Sequence, residues 1–119
     1  MQVRPEMGSG YAVCRPVGAL DASITLHLGE AMALMTSVPR LVIDLSEVSS
    51  VDFAALGALV GGILRVRDAG GAVAICSSQP HVRGVLRTTG FDRVAPLVET
   101  LADAQASLDR RPERFAGVA

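Results

Sequence analysis

Residues 41–62 read LVIDLSEVSSVDFAALGALVGG. Leu41 to Ile43 form an unbroken apolar run, and Leu45 continues it after Asp44. Such a run, set in RLVIDLSEV at residues 40–48, suits a strand covered on both faces in the middle of a parallel sheet. Ser49 and Ser50 then lead through a loop to Asp52, which stands at the entrance of a second apolar stretch. The composition there predicts a helix over 53–68. Its Arg65 and Arg67 fall in the last turn, where the helix dipole favours cations. Gly70 and Gly71 supply a left-handed stop. A buried strand that feeds a helix is the unit from which parallel α/β sheets are assembled.

The same alternation extends in both directions. Upstream, MQVRPEM (1–7) and YAVCRPV (11–17) read as two strands joined by a turn at GSG, residues 8–10. Pro5 and Pro16 put this hairpin at or near a sheet edge. In GALDASITLHLGEAMALMTSVPR (18–40), Ile24, Leu28, Ala31 or Met32, and Met35 recur at helical spacing. Asp21 or Ser23 caps that helix, and Pro39 lies just beyond its end. Downstream, AVAICSS (72–78) is a further buried strand. The next helix has Ser78 as cap, Pro80 in its first turn and Gly90 at its end. VAPLVE (94–99) is a last strand, held to the edge by Pro96. TLADAQASLDR (100–110) is a last helix, capped by Thr100 and apolar along Leu101, Ala104 and Leu108. The fold class expected is therefore α/β: one domain over residues 1–110, with a small, mixed but mostly parallel sheet and about four helices. The tail at 111–119 is expected to be mobile.

Composition narrows the function. Half of the 119 residues are apolar but only 3% are aromatic, so the core is filled by aliphatic side chains. A net charge of −1 gives no electrostatic footprint for nucleic acid. The longest apolar run, Val51 to Val66, is interrupted by Asp52 and is short for a bilayer span, and no secretory leader is legible in MQVRPEMGSG. A cytoplasmic location and no membrane insertion are expected. Cys14 and Cys76 show no metal-ligand spacing and read as buried, reduced thiols.

Catalysis needs a nucleophile, an acid or base, and a stabiliser of developing charge, all convergent. Of the two histidines, His27 falls inside the first helix and His81 opens the third beside Ser77, Ser78 and Gln79. A hydrolase built on His81 and a nearby serine is conceivable, but no G-x-S-x-G elbow surrounds either serine. Walker A and G-x-G-x-x-G loops are absent, and no cofactor or metal is expected. Gly57 and Gly61, four residues apart, are read as letting the central helix approach the sheet closely.

The segment LVIDLSEVSSVDFAALGALVGG resembles the signature region of STAS domains, the family of bacterial anti-sigma-factor antagonists and sulfate-transporter tails. Asp44, Leu45 and Ser46 match its strand end, and Asp52, Leu56 and Gly57 match its helix entrance. GALD at 18–21 resembles the family's Gly-Glu-Leu-Asp, and VRGVLRTTGFDRV (82–94) resembles its third helix and the turn that follows. The resemblance runs from about Tyr11 to Leu108. It implies a protein that binds an anti-sigma factor, often a serine kinase, and thereby frees a sigma factor for transcription. It also allows a second reading, a module that binds a nucleotide or lipid or belongs to a transport complex.

The resemblance places the family's regulatory serine or threonine two positions after the helix-entry aspartate. Phosphorylation there adds about −1.5 to −2 charges. Here that position is Ala54, preceded by Phe53 and followed by Ala55. An alanine accepts no phosphoryl group, so no phosphorylation is expected at Ala54. Ser49 and Ser50 are the nearest substitutes. Asp21, Asp52, Phe53, Ala54 and Ser78 are the expected partner-binding residues. Asp52 also serves as a helix cap. Phe53 is read as folding inward onto the sheet, with an exposed interface anchor as the alternative.

Overall fold

A computed structural model describes residues 2–8, 11–33 and 39–110. The chain opens with an antiparallel hairpin, β1 (Gln2–Gly8) and β2 (Tyr11–Leu20). A 3-10 turn (Ala22–Ile24) and α1 (Thr25–Ala33) follow. Next come β3 (Arg40–Asp44), β4 (Val48–Val51), α2 (Phe53–Asp68) and β5 (Ala72–Cys76). The chain continues through α3 (Pro80–Thr88), a one-turn α4 (Phe91–Val94), β6 (Leu97–Val98) and α5 (Leu101–Arg110). The sheet order is β1-β2-β3-β5-β6, with β4 paired to β2, and every pairing except that of β1 is parallel. Among the described residues β1, with Pro5, and β6, just after Pro96, are edge strands, whereas β2, which carries Pro16, lies one strand in and pairs with β1, β3 and β4.

Strand alternation divides the core in two. Ala12, Cys14, Leu41, Ile43, Val73 and Ile75 face α1, α2, α3 and α4. Val13, Val42, Ala72, Ala74 and Cys76 face α5, through its Ala104 and Leu108. One face of the sheet thus carries a layer of helices, whereas the other rests on α5. This explains the unbroken Leu41–Ile43 run, since successive residues enter different cores.

Several expectations are revised. The segment VSSV, read as the end of a strand and a loop, forms β4. Its pairing offset with β2 (Leu20↔Val51, 51 − 20 = 31) exceeds that of β3 with β2 (Ala12↔Leu41, 41 − 12 = 29) by two residues. One residue of that shift enters at the Ser46–Glu47 turn, since Gly18 pairs with Val48 (48 − 18 = 30), and the second at a bulge at Ser49, between the Gly18 and Ala19 pairings. Strand β2 itself runs three residues beyond the predicted end at Val17. Ser49 and Ser50 are therefore exposed strand residues. Gly57 and Gly61 do not serve close packing: a Cβ at either would meet no atom within 4 Å. The buried glycine of α2 is Gly62, on the face with Leu59, Ile63 and Val66. Gly90, at φ +85°, ends α3 as predicted, but a further helical turn starts at Phe91. In α1, Leu28 is fully buried. Met35, the remainder of the predicted helix, the centre of the GSG turn and the tail at 111–119 lie outside the described residues.

Candidate partner-binding site

The parallel strands bring their C-terminal ends to one rim, and the entrance of α2 sits on it. Asp52 is extended (φ −108°, ψ 174°), and its carboxylate accepts the Ala55 N–H at 3.0 Å, satisfying a donor that the first helical turn leaves open. The Asp52 N–H donates to the Leu20 carbonyl at 2.9 Å. That bond ties the start of α2 to the end of β2, so Asp21 and Asp52 leave neighbouring strand ends side by side. Asp21 accepts the Ser23 hydroxyl and, at 3.0 Å, the Ser23 N–H. These bonds hold its carboxyl below the usual carboxylate range. Of the two cap candidates before α1, Asp21 is the acceptor.

Phe53 stands out from this rim. It is 82% exposed and does not fold onto the sheet, contrary to the inward reading. The reason lies in helix geometry. The core-facing positions of α2 are Ala55, Leu56, Leu59, Gly62, Ile63 and Val66, and residue 53 projects about 120° away from that face. Ala54 is exposed beside it. Phe53 also forms one wall of a shallow groove of about 460 Å³, whose other wall is α3 through Pro80, His81, Gly84, Val85 and Thr88. The sequence reading had no sign of this groove, because it depends on how α3 lies across β4.

Ser78 lies at the same rim, exposed after β5, but it does not cap α3. Gln79 occupies the cap position without a side-chain bond to the helix. The buried Ser77 hydroxyl instead accepts the Gln79 N–H at 3.3 Å, and Gln79 Nε2 donates to the Ser46 carbonyl at 2.9 Å. These bonds tie the entrance of α3 to the β3–β4 turn. Arg83 completes the link, donating from Nη1 to the carbonyls of Ser77 and Val98 at 2.8 Å each.

Beneath the rim, on the α5 face, Asp44 is almost fully buried and receives Arg15 Nε at 2.8 Å and the Ser46 N–H at 2.9 Å. Burial alone would raise its pKa. Hydrogen bonds from Ser46, Arg15 and the Cys76 thiol outweigh that and hold the carboxyl below its ordinary value. Cys76 is pushed up to about 12 by burial and by the Asp44 charge, and Cys14 to about 12 by burial. Both thiols are buried and unpaired with each other, and they face opposite cores. The Asp-Leu-Ser match therefore marks a structural anchor: Asp44 fixes the turn that delivers the chain to β4 and on to α2.

At the helix entrance Asp21, Glu47 and Asp52 stand near the exposed Phe53 and Ala54, while Asp44 is buried beneath the rim against Arg15 and His81 lines the far wall of the groove.

The family model for the STAS domain matches residues 7–104. The chain belongs to the STAS domain family. Among curated relatives, the anti-sigma F factor antagonist of Paenibacillus polymyxa is 23% identical over 113 residues, covering 92% of this STAS chain and 96% of the relative. A candidate anti-sigma factor antagonist of Thermotoga maritima is 29% identical over 72 residues, and that match spans 60% of this chain and 64% of the relative. The crystal structure of an anti-sigma factor antagonist from Mycobacterium paratuberculosis superposes with a TM-score of 0.83 at 27% identity, covering 91% of this chain and 93% of that one. The Paenibacillus and Mycobacterium matches each cover more than nine-tenths of this chain, whereas the chain spans less than two thirds of the Thermotoga relative. Among the described residues, no helix is long and apolar enough to cross a membrane.

Proposed function

We propose that this STAS domain is a cytoplasmic anti-sigma factor antagonist, acting by reversible protein–protein binding and not by catalysis. Its partner is an anti-sigma factor of the serine-kinase type, and formation of the complex frees a sigma factor for transcription. The contact residues are Asp21, Asp52, Phe53, Ala54 and Ser78. The observation that carries this reading is the exposed Asp52–Phe53–Ala54 entrance of α2 in a chain whose relatives are named as antagonists.

Ala54 occupies the position where the family's phosphoacceptor is expected, and it lacks an oxygen to receive a phosphoryl group. The surface consequently stays in its binding-competent state, and control rests on the amount of protein. Exposed Ser49 and Ser50 are two to three residues before Asp52 and serve as the alternative acceptors to test.

Installing the hydroxyl tests the proposal. Ala54→Ser is expected to be phosphorylated by a cognate kinase-type anti-sigma factor with ATP and then to lose binding, while wild type takes up no phosphate under the same conditions. Ala54→Glu is expected to bind at least tenfold more weakly, because a charge at an interface centre must be desolvated. Wild-type affinity in Ala54→Glu would remove this surface from the interface.

A further inference from the structure

Phe53 and Leu64 are the large hydrophobic side chains that the described residues leave exposed, and both belong to α2. They differ in setting. Leu64 lies three turns along the helix beside Arg65, whereas Phe53 stands on the acidic rim and walls the groove against α3. Nothing in the fold needs an aromatic ring at residue 53: its ring is 82% exposed, and the helix cap is supplied by Asp52. An isolated aromatic held on a rigid first helical turn loses little further freedom on binding, which favours it as an interface anchor. The groove continues the apolar surface through Pro80, Gly84 and Val85. Gly84 keeps its floor open, since a Cβ there would meet no atom within 4 Å.

We infer that Phe53 is the specificity-determining anchor of this interface, inserted into an apolar recess of the anti-sigma factor. Cationic side chains of the partner flank that recess and meet Asp21 and Asp52, and an apolar lip of the partner fills the α2–α3 groove. The inference rests on the antagonist reading. Charge selects the occupant: beside Phe53 the helix entrance carries the carboxylates of Asp21 and Asp52, so a complementary partner carries lysine or arginine around an apolar pocket. A second copy of this chain would set carboxylates against carboxylates.

The test titrates the full 119-residue chain calorimetrically against each purified kinase-type anti-sigma factor of the host. Wild type, Phe53→Ala, Phe53→Leu and Val85→Thr are compared. Phe53→Ala is expected to weaken binding about 30-fold and Phe53→Leu only a few-fold, with thermal midpoints unchanged. Val85→Thr is expected to weaken it several-fold, and added salt to weaken the wild-type complex. Wild-type binding with Phe53→Ala within twofold of it would overturn the anchor and leave the antagonist reading standing. Failure of wild type to bind any of these factors would overturn both. Light scattering that shows a dimer dissolved by Phe53→Ala would place a second copy on this surface and overturn the stated occupant.

Discussion

Asp44 and Asp52 are two aspartates in one signature segment, and their surroundings give them different work. Asp52 is exposed and caps a helix. Asp44 is buried, and its charge is kept by Arg15, Ser46 and Cys76. Because its folded pKa is depressed, Asp44 contributes stability above the ordinary carboxylate pKa of about 3.9, and this is lost as pH falls through the folded value. Asp44→Asn is expected to cost about 2 kcal/mol at pH 7 and progressively less as pH falls below the ordinary carboxylate range, read from urea midpoints across that range. The thiols give a second residue-scale prediction. With both raised to about 12, Cys14 and Cys76 stay protonated at pH 8, and a thiol reagent is expected to label them only as fast as the chain unfolds. Fast labelling of either in the native protein would contradict this burial. The sequence alone identified the cysteines as buried, but it gave no hint of the Arg15–Asp44 pair, since 29 residues separate partners that parallel pairing sets side by side.

At the scale of elements, periodicity found most of the strands and four of the helices, and it failed where an element has no hydrophobic signature. In β4, Val48 is buried while Ser49 and Ser50 are exposed, and four residues of that kind look like a loop until β2 is seen to extend alongside them. Gly57 and Gly61 were misplaced for a different reason: small residues look like packing devices, yet both lie off the face marked by Leu59, Ile63 and Val66. Gly57→Ala and Gly61→Ala are therefore each expected to stabilise the protein by about 0.5–1 kcal/mol, because alanine favours helix and meets open space. A thermal melt checks this, and a loss of stability would mean that the glycines are needed for packing after all. On the opposite face, α5 covers its core through Ala104 and the fully buried Leu108. Leu108→Ala is expected to cost about 2–4 kcal/mol in denaturant unfolding.

The whole molecule is asymmetric in a way that suits a binding module. One sheet face is covered by several helices, and the other rests on α5, clamped at its far end by the Tyr11 hydroxyl on Asp109 and by Arg40 above the Tyr11 ring. The strand ends and the entrance of α2 carry acidic and apolar groups to a single rim. Asp21, Asp52 and Ala54 could be assigned to this rim from the sequence, because their motifs sit at the ends of legible elements. The outward direction of Phe53 and the groove beside it could not, because both depend on helix phase and on packing against α3. On the function proposed, this rim competes with a sigma factor for an anti-sigma factor. The most direct measurement adds the full chain to a preformed complex of sigma factor and kinase-type anti-sigma factor and follows free sigma factor by size-exclusion chromatography. Release in proportion to the chain added, reduced by Ala54→Glu, is the result predicted. A sigma factor that stays bound at saturating excess of the chain would contradict the account.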